Sequence, residues 1–351
     1  MTRIVGLAAG TVALIAVTGA LHYADASPTA VFLLAGASLA GLAWLIGVAT
    51  ESVGVRFGPA VTGVLQSTLG NLPELFIVVF ALSAGEIVVA QTSILGSLFA
   101  NALLVLGLAI IAGSRAAGED PMRFRRRLPN DTATLLLLAL AAIALLGLSD
   151  RLGDRASTHQ VEISVVGAIC LLAVYGTWLW SYIRSEGREE PAIEEPAHGA
   201  MPFMPALGVL AVAGVGAAFV SDWFVAALDP AVEALHISKA FAGLVIVGIA
   251  GNAVENVVGI TLAGKGQSDL AVSVVKNSVA QVAAFLFPAL VLLSLFFSTR
   301  LTFVLNPVYV AALAVTALAL WQITGDGEGY AFEGLALVGI YVVLATVTYF
   351  E

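Results

Sequence analysis

The sequence predicts an all-α polytopic membrane protein: about eleven transmembrane helices, built as one extra helix plus two inverted five-helix repeats. Three observations carry that expectation. The chain of 351 residues is 60% apolar and only 11% charged, whereas soluble domains carry about 25% charged residues. Its apolar runs reach 19 residues or more, enough for a helix to cross a hydrocarbon core of about 30 Å. Finally, the pattern Gly-Asn-x-x-Glu occurs twice inside such runs, as Gly70 to Glu74 and as Gly251 to Glu255.

The expected spans are 4–22, 29–50, 59–84, 87–113, 131–149, 161–183, 205–227, 240–263, 268–297, 301–323 and 332–350. Residues 1–28 hold the extra helix. Its Arg3, apolar run and Ala24-Asp25-Ala26 also fit a secretory signal, but the run is long for one, so a retained helix is expected. Residues 29–184 make the first repeat. Residues 185–201 carry Glu186, Glu189, Glu190, Glu194 and Glu195 between prolines, which reads as an acidic, solvated linker. Residues 202–351 make the second repeat.

Lysines and arginines set the direction. Alternate loops on one side hold Arg3, Arg56, Arg115, Arg123, Arg125, Arg126, Arg127, Arg184, Arg188 and Lys265, against Arg151, Arg155, Lys239 and Arg300 on the other. The positive-inside rule makes the first side cytoplasmic. The expected location is the plasma (inner) membrane, with the N-terminus and the linker in the cytoplasm and the C-terminus outside. The net charge of −9 comes largely from loops, and no basic aromatic surface suggests a nucleic-acid partner. Cys170 is alone and cannot form an intrachain disulfide. There is no Walker A sequence and no His-Glu-x-x-His pattern, and His22, His159, His198 and His236 are scattered at span ends or in loops. No enzyme and no resident cofactor is expected.

A shift of 181 residues superposes Gly70 on Gly251, Asn71 on Asn252, Glu74 on Glu255, Gly85 on Gly266 and Ser97 on Ser278. Each repeat then has five helices, and an odd number forces the second copy to enter the membrane upside down. Such inverted repeats place substrate near the midplane, where helices are interrupted. An intramembrane carboxylate costs roughly 2.5–3.5 kcal/mol on insertion scales, so it needs a compensating role. Asn71 with Glu74, and Asn252 with Glu255, share helix faces at a spacing of three. Gly70, Pro73 and Gly251 interrupt the helical ladder beside them. Carboxylates, Asn amide oxygens and freed carbonyls form a hard oxygen shell that suits Ca²⁺ better than a soft metal. Ser93, Ser97 and Asn101 on one helix, and Ser278 with Gln281 on another, extend it. Glu51 and Asp222 end equivalent helices on opposite sides and are expected as mouth or gate acids. Lys276 lies off the site face and is expected to snorkel to the cytoplasm or pair with an acid.

Leu69 to Gly107 and Phe241 to Leu292 resemble the two signature regions of the calcium/cation antiporter superfamily, specifically its Ca²⁺/H⁺ exchanger (CAX) branch. The similarity runs on to Asp326 to Gly334 and implies an eleven-helix exchanger of Ca²⁺ against protons. It places Glu74 and Glu255 at the family's ion-binding glutamates. The chain departs from the pattern at Asn256, where His is common, and at Lys276, Asn277 and Val279 near the second serine. Within the superfamily, Na⁺(or K⁺)/H⁺ or Na⁺/Ca²⁺ exchange is the alternative; a passive cation channel would need a continuous pore. Single cysteines in a Cys170-free background should label from the cytoplasm beside Arg125 and Glu190 and from outside at Glu351. Labelling of Glu190 and Glu351 positions from the same face would refute the inverted arrangement.

Overall fold

In a bilayer, an uncharged run can satisfy its backbone polar groups only within itself, and the chain is accordingly almost all helix. A computed structural model describes residues 2–54, 65, 68–118, 120–125, 127–186 and 201–351. The first half contains α1 (Thr2–Tyr23), α2 (Pro28–Gly54), α3 (Leu72–Ala84), α4 (Ile87–Ala117), α5 (Arg127–Leu152) and α6 (Gln160–Glu186). The second half contains α7 (Phe203–Ala226), α8 (Leu228–Leu235), α9 (Lys239–Gly251) and α10 (Ala253–Gly264). It continues with α11 (Ser268–Phe296), α12 (Pro307–Thr324) and α13 (Ala331–Tyr349). Among the described residues, nine helices are long and apolar enough to cross a membrane, or ten if α8 and α9, bent by 113°, form one span. α3 is a shorter apolar helix. Most of residues 55–67, the start of the expected third span, lie outside the described residues, as do 187–200 of the linker.

Three expectations need correction. The span 240–263 is not one helix: it divides at Asn252 into α9 and α10. The span 301–323 begins late, because Pro307 starts α12 and the Asn306 side chain accepts the Val308 N–H at 3.1 Å as its cap. A two-residue antiparallel ribbon, β1 (Met122–Arg123) with β2 (Glu328–Gly329), also joins loops that sequence pattern left separate. Arg123 meets Glu328 at 3.4 Å across it, so the arginine cluster ties two halves together as well as marking a side.

The halves match in local detail at the same offset. Turns at Asn71 and Asn252 precede α3 and α10, and π-helical segments occupy Ala100–Val105 of α4 and Val282–Leu286 of α11. Gly85 and Gly266 close the helices before them with φ of 83° and 76°, a region where glycine has no steric penalty. α7 packs along α2. The Met201 N–H, just before α7, bonds the Ser52 hydroxyl near the end of α2 at 3.2 Å, so the two helices run opposite ways.

The halves meet backbone to backbone where α4 crosses α9. A methyl group added at Gly248 would lie 2.5 Å from the Gly96 carbonyl carbon, and one at Gly96 would strike the backbone of Leu244. This is small-residue packing, which draws membrane helices together by letting backbones touch. Gly248→Val should therefore cost about 1–3 kcal/mol through overpacking and lower the thermal midpoint of the purified protein. An unchanged midpoint would mean that this crossing is looser than described.

Candidate cation and proton site

The site begins with two interrupted helices. Asn252, at φ −95° and ψ 25°, leaves the helical path after Gly251, and its side-chain amide donates to the Gly248 carbonyl at 2.7 Å. Asn256 donates to the Ile249 carbonyl at 3.1 Å. These bonds occupy carbonyls that the break would otherwise strand in an apolar interior. Asn256 therefore supports the break. In the first half Asn71 makes the corresponding turn at φ −84° and ψ 10°, and Pro73 falls in the first turn of α3. Proline is tolerated there, so Asn71 marks the interruption and Pro73 starts the next helix.

Each break puts a glutamate in the first turn of the following helix, Glu74 on α3 and Glu255 on α10. Glu74 is completely buried and Glu255 is 4% exposed. Each packs on the other half's glycine. A methyl group built on Gly251 would overlap the Glu74 carboxylate, and one on Gly70 would lie 3.0 Å from Glu255 Oε1. Gly70 and Gly251 are thus seats for the opposite carboxylate as well as parts of a helix break. The two carboxylates are close enough for their charges to interact.

A polar network holds Glu74 from the side. The Ser97 hydroxyl of α4 donates to Glu74 Oε1 at 2.9 Å and accepts from the Asn252 amide at 2.5 Å. The Asn101 amide points at Asn252 Oδ1 (2.5 Å), Ser278 Oγ (2.9 Å) and the Ser97 carbonyl (3.1 Å). It has two hydrogens for three acceptors, so at least one bond is shared. Residues of α4, the α9–α10 break and α11 are thereby joined across the two halves. Within this network two buried acceptors, Glu74 Oε2 and Asn101 Oδ1, have no partner among the described residues. Buried oxygens left without donors are places where a cation or a proton would be favourable.

The structure thus gathers Glu74, Glu255, Ser97, Asn101, Asn252 and Ser278, with Asn71 buried at the first break. Gln281 is instead hydrogen-bonded to Tyr175 of α6, among Leu135, Ala280 and Ala284. Ser93 is buried one turn from Ser97, with its oxygen unpartnered. Glu51 sits at the end of α2 beside the start of α7, whereas Asp222 sits near the end of α7, so the two acids lie at opposite ends. Lys276 does not snorkel. Its side chain is fully buried, its Nζ is 3.2 Å from the Thr324 hydroxyl, and no described carboxylate lies within ion-pairing distance. Thr132 of α5 donates to the Lys276 carbonyl at 3.3 Å, so this stretch of α11 faces its neighbours α5 and α12. The glycine seats and π segments escaped sequence reading because both depend on which helix crosses which. A glycine and glutamate sharing one motif gave no sign that each serves the other copy.

No group of three or more His, Cys, Asp or Glu side chains gathers among the described residues, so amide, hydroxyl and carbonyl oxygens must complete any cation shell around the two carboxylates. Gly251→Ala should force Glu74 off its seat and weaken cation binding by about tenfold or more. Gly70→Ala, against a looser 3.0 Å contact, should have a smaller effect. Cation titration of the two purified variants tests this; equal affinities would contradict the seating.

The profile of the sodium/calcium exchanger protein family matches residues 27–183 and 205–350. A Ca²⁺/H⁺ antiporter of Synechocystis is 32% identical over 351 residues, covering 95% of this chain and 94% of that protein. The Ca²⁺/H⁺ antiporter ChaA of Bacillus subtilis is 29% identical over 344 residues, covering 97% of this chain and 96% of its own. The solved structure of native YfkE superposes with a TM-score of 0.82 at 27% identity, covering 99% of this chain and 100% of that one. A crystal structure of the H⁺/Ca²⁺ exchanger CAX gives a TM-score of 0.80 at 14% identity over 99% of this chain and 93% of that one, a likeness of fold.

Proposed function

The chain belongs to the sodium/calcium exchanger protein family, and from that premise we propose that it exchanges Ca²⁺ for protons across its membrane by alternating access. Glu74 and Glu255 are the shared seat of both ions. The observation that carries this reading is the reciprocal packing of each carboxylate on the other half's glycine, with Glu74 Oε2 left unpartnered.

The chemistry follows from charge. With both carboxylates ionised, one Ca²⁺ neutralises the pair; with both protonated, the pair is neutral without it. Either loaded form can be enclosed in the membrane interior. The empty, doubly ionised form leaves two like charges together in a medium of low polarity, where each costs several kcal/mol. A carrier in that state should switch poorly, and this ties Ca²⁺ movement to counter-movement of protons. Asn101, Asn252, Ser97 and Ser278 supply neutral oxygens and hold the carboxylates in place. Because these residues come from both halves, rocking one half against the other would expose the same site to each face in turn. The names of the Synechocystis and Bacillus relatives support Ca²⁺ and H⁺ as the ion pair.

The protein is a multi-pass membrane protein. The bias of its basic loops supports the inner membrane, with the N-terminus in the cytoplasm and the C-terminus outside. Glu51 and Asp222, at opposite ends, are the mouth acids of this reading. Na⁺(or K⁺)/H⁺ or Na⁺/Ca²⁺ exchange is the competing reading, since two carboxylates could also hold monovalent cations. In proteoliposomes under a pH gradient, Ca²⁺ flux should require the gradient and should not be replaced by Na⁺ or K⁺ flux. Glu74→Gln and Glu255→Gln, which keep shape and remove charge, should each reduce it by about 100-fold or more in folded protein. Wild-type flux through either variant would overturn the shared site.

A further inference from the structure

Away from the carboxylates, a three-membered ion cluster is among the ion contacts that join the two halves. Lys239, the first residue of α9, places its Nζ 2.7 Å from Glu86 Oε2 and 2.7 Å from Asp229 Oδ1. Glu86 follows Gly85 in the turn between α3 and α4, and Asp229 lies in α8. The side chains of Glu86, Lys239 and Asp229 are 21%, 36% and 59% exposed, so the bond to Glu86 is partly dried and that to Asp229 lies nearer the surface. Charge-assisted bonds of that kind exceed an exposed ion pair in strength.

Its position gives the cluster leverage on the site. α3 runs back from Glu86 to Glu74, and α9 runs forward from Lys239 to Gly251, over twelve residues in each case. The far ends of these helices meet where Glu74 packs on Gly251. The near ends are tied by Lys239. Parting α3 and α4 from α9 at this end would break the tie. The opposite end carries a weaker counterpart, in which Asp269, in the first turn of α11, accepts the Arg125 N–H at 2.7 Å. The Arg125 guanidinium stands 3.9 Å from Asp269, and these side chains are 72% and 54% exposed.

We propose that Lys239 is a positioning residue for exchange: clamped between Glu86 and Asp229, it holds shut the entrance opposite the β1–β2 ribbon, which loop charge makes the outer one. The proposal rests on the shared carboxylate site and adds the control of its access from one face. Lys239 acts through the helices and does not touch the transported ion.

The test uses the full chain with Cys170→Ala and Ser93→Cys, a buried position one turn from Ser97 on the outer side. A membrane-impermeant thiol reagent added to the outer face should label this site slowly. Lys239→Met should speed labelling by about tenfold, the shift expected for losing two partly exposed ion pairs. Glu86→Gln with Asp229→Asn should do the same by removing the partners. Lys239→Arg should restore slow labelling, and Arg125→Met should leave outer labelling unchanged. In transport, Lys239→Met should change the Ca²⁺ KM measured from the outer face and spare that from the cytoplasmic face. Unaltered labelling in both the Lys239→Met and the paired carboxamide variants would overturn the proposal, as would an equal increase with Arg125→Met. Labelling needs no transport, so a failure of the Glu74 and Glu255 reading would show separately, as flux surviving Glu74→Gln.

Discussion

Two carboxylates held together inside a membrane protein constrain everything else in this chain. Neither Glu74 nor Glu255 is paired with a described Lys or Arg, and the buried lysine at Lys276 faces elsewhere. In the proposed exchange, their charge is met by ions that come and go. The surrounding features serve that need. The helix breaks bring the two side chains to one place, and the glycines opposite make room for them. The amide and hydroxyl network, through Ser97, then keeps the Glu74 carboxylate from turning toward other partners.

The pairing of halves explains why these features recur at one offset. A single copy of the motif would present a glutamate and an open glycine with nothing to fill it. Two copies, inverted, fill each other's gaps. The same offset carries the Asn turn, the left-handed glycine and the π-helical segment of the longer helix. π segments carry a looser ladder than α-helix and often mark functional places; here one contains Asn101 and the other follows directly on Gln281. The halves are nevertheless unequal. Ser97 bonds Glu74, while Ser278 bonds Asn101.

Much of this was legible in the sequence because the membrane simplifies the code. Long uncharged runs gave most of the helices, and any carboxylate inside one stood out against a background where it is costly. Asn101 was legible too, since Ser97 and Asn101 fall four apart on one helix face. What failed to show depends on contacts between distant segments. The motif predicted a weakened ladder at Gly251, yet the full break at Asn252 needs the Gly248 and Ile249 carbonyls to find side-chain donors. Gln281 was expected as a site oxygen by spacing, and its hydrogen bond to Tyr175 on a distant helix was not legible. Lys276 looked like a snorkelling lysine, and only the packing of α11 against α5 and α12 shows why it stays inside. Pro307 carried the true start of α12, a signal masked by the apolar residues before it.

The central claim is that Ca²⁺ and protons compete for the same two carboxylates. Its most direct test is calorimetric titration of the purified protein with Ca²⁺, repeated in buffers of different ionisation enthalpy at one pH near neutrality. If the ions share the site, the observed binding enthalpy should change linearly with buffer ionisation enthalpy. The slope should correspond to proton release on Ca²⁺ binding and should vanish at high pH, where both carboxylates are already ionised. Tight Ca²⁺ binding with no buffer dependence at any pH would mean that protons are carried elsewhere, and the shared-site account would be wrong.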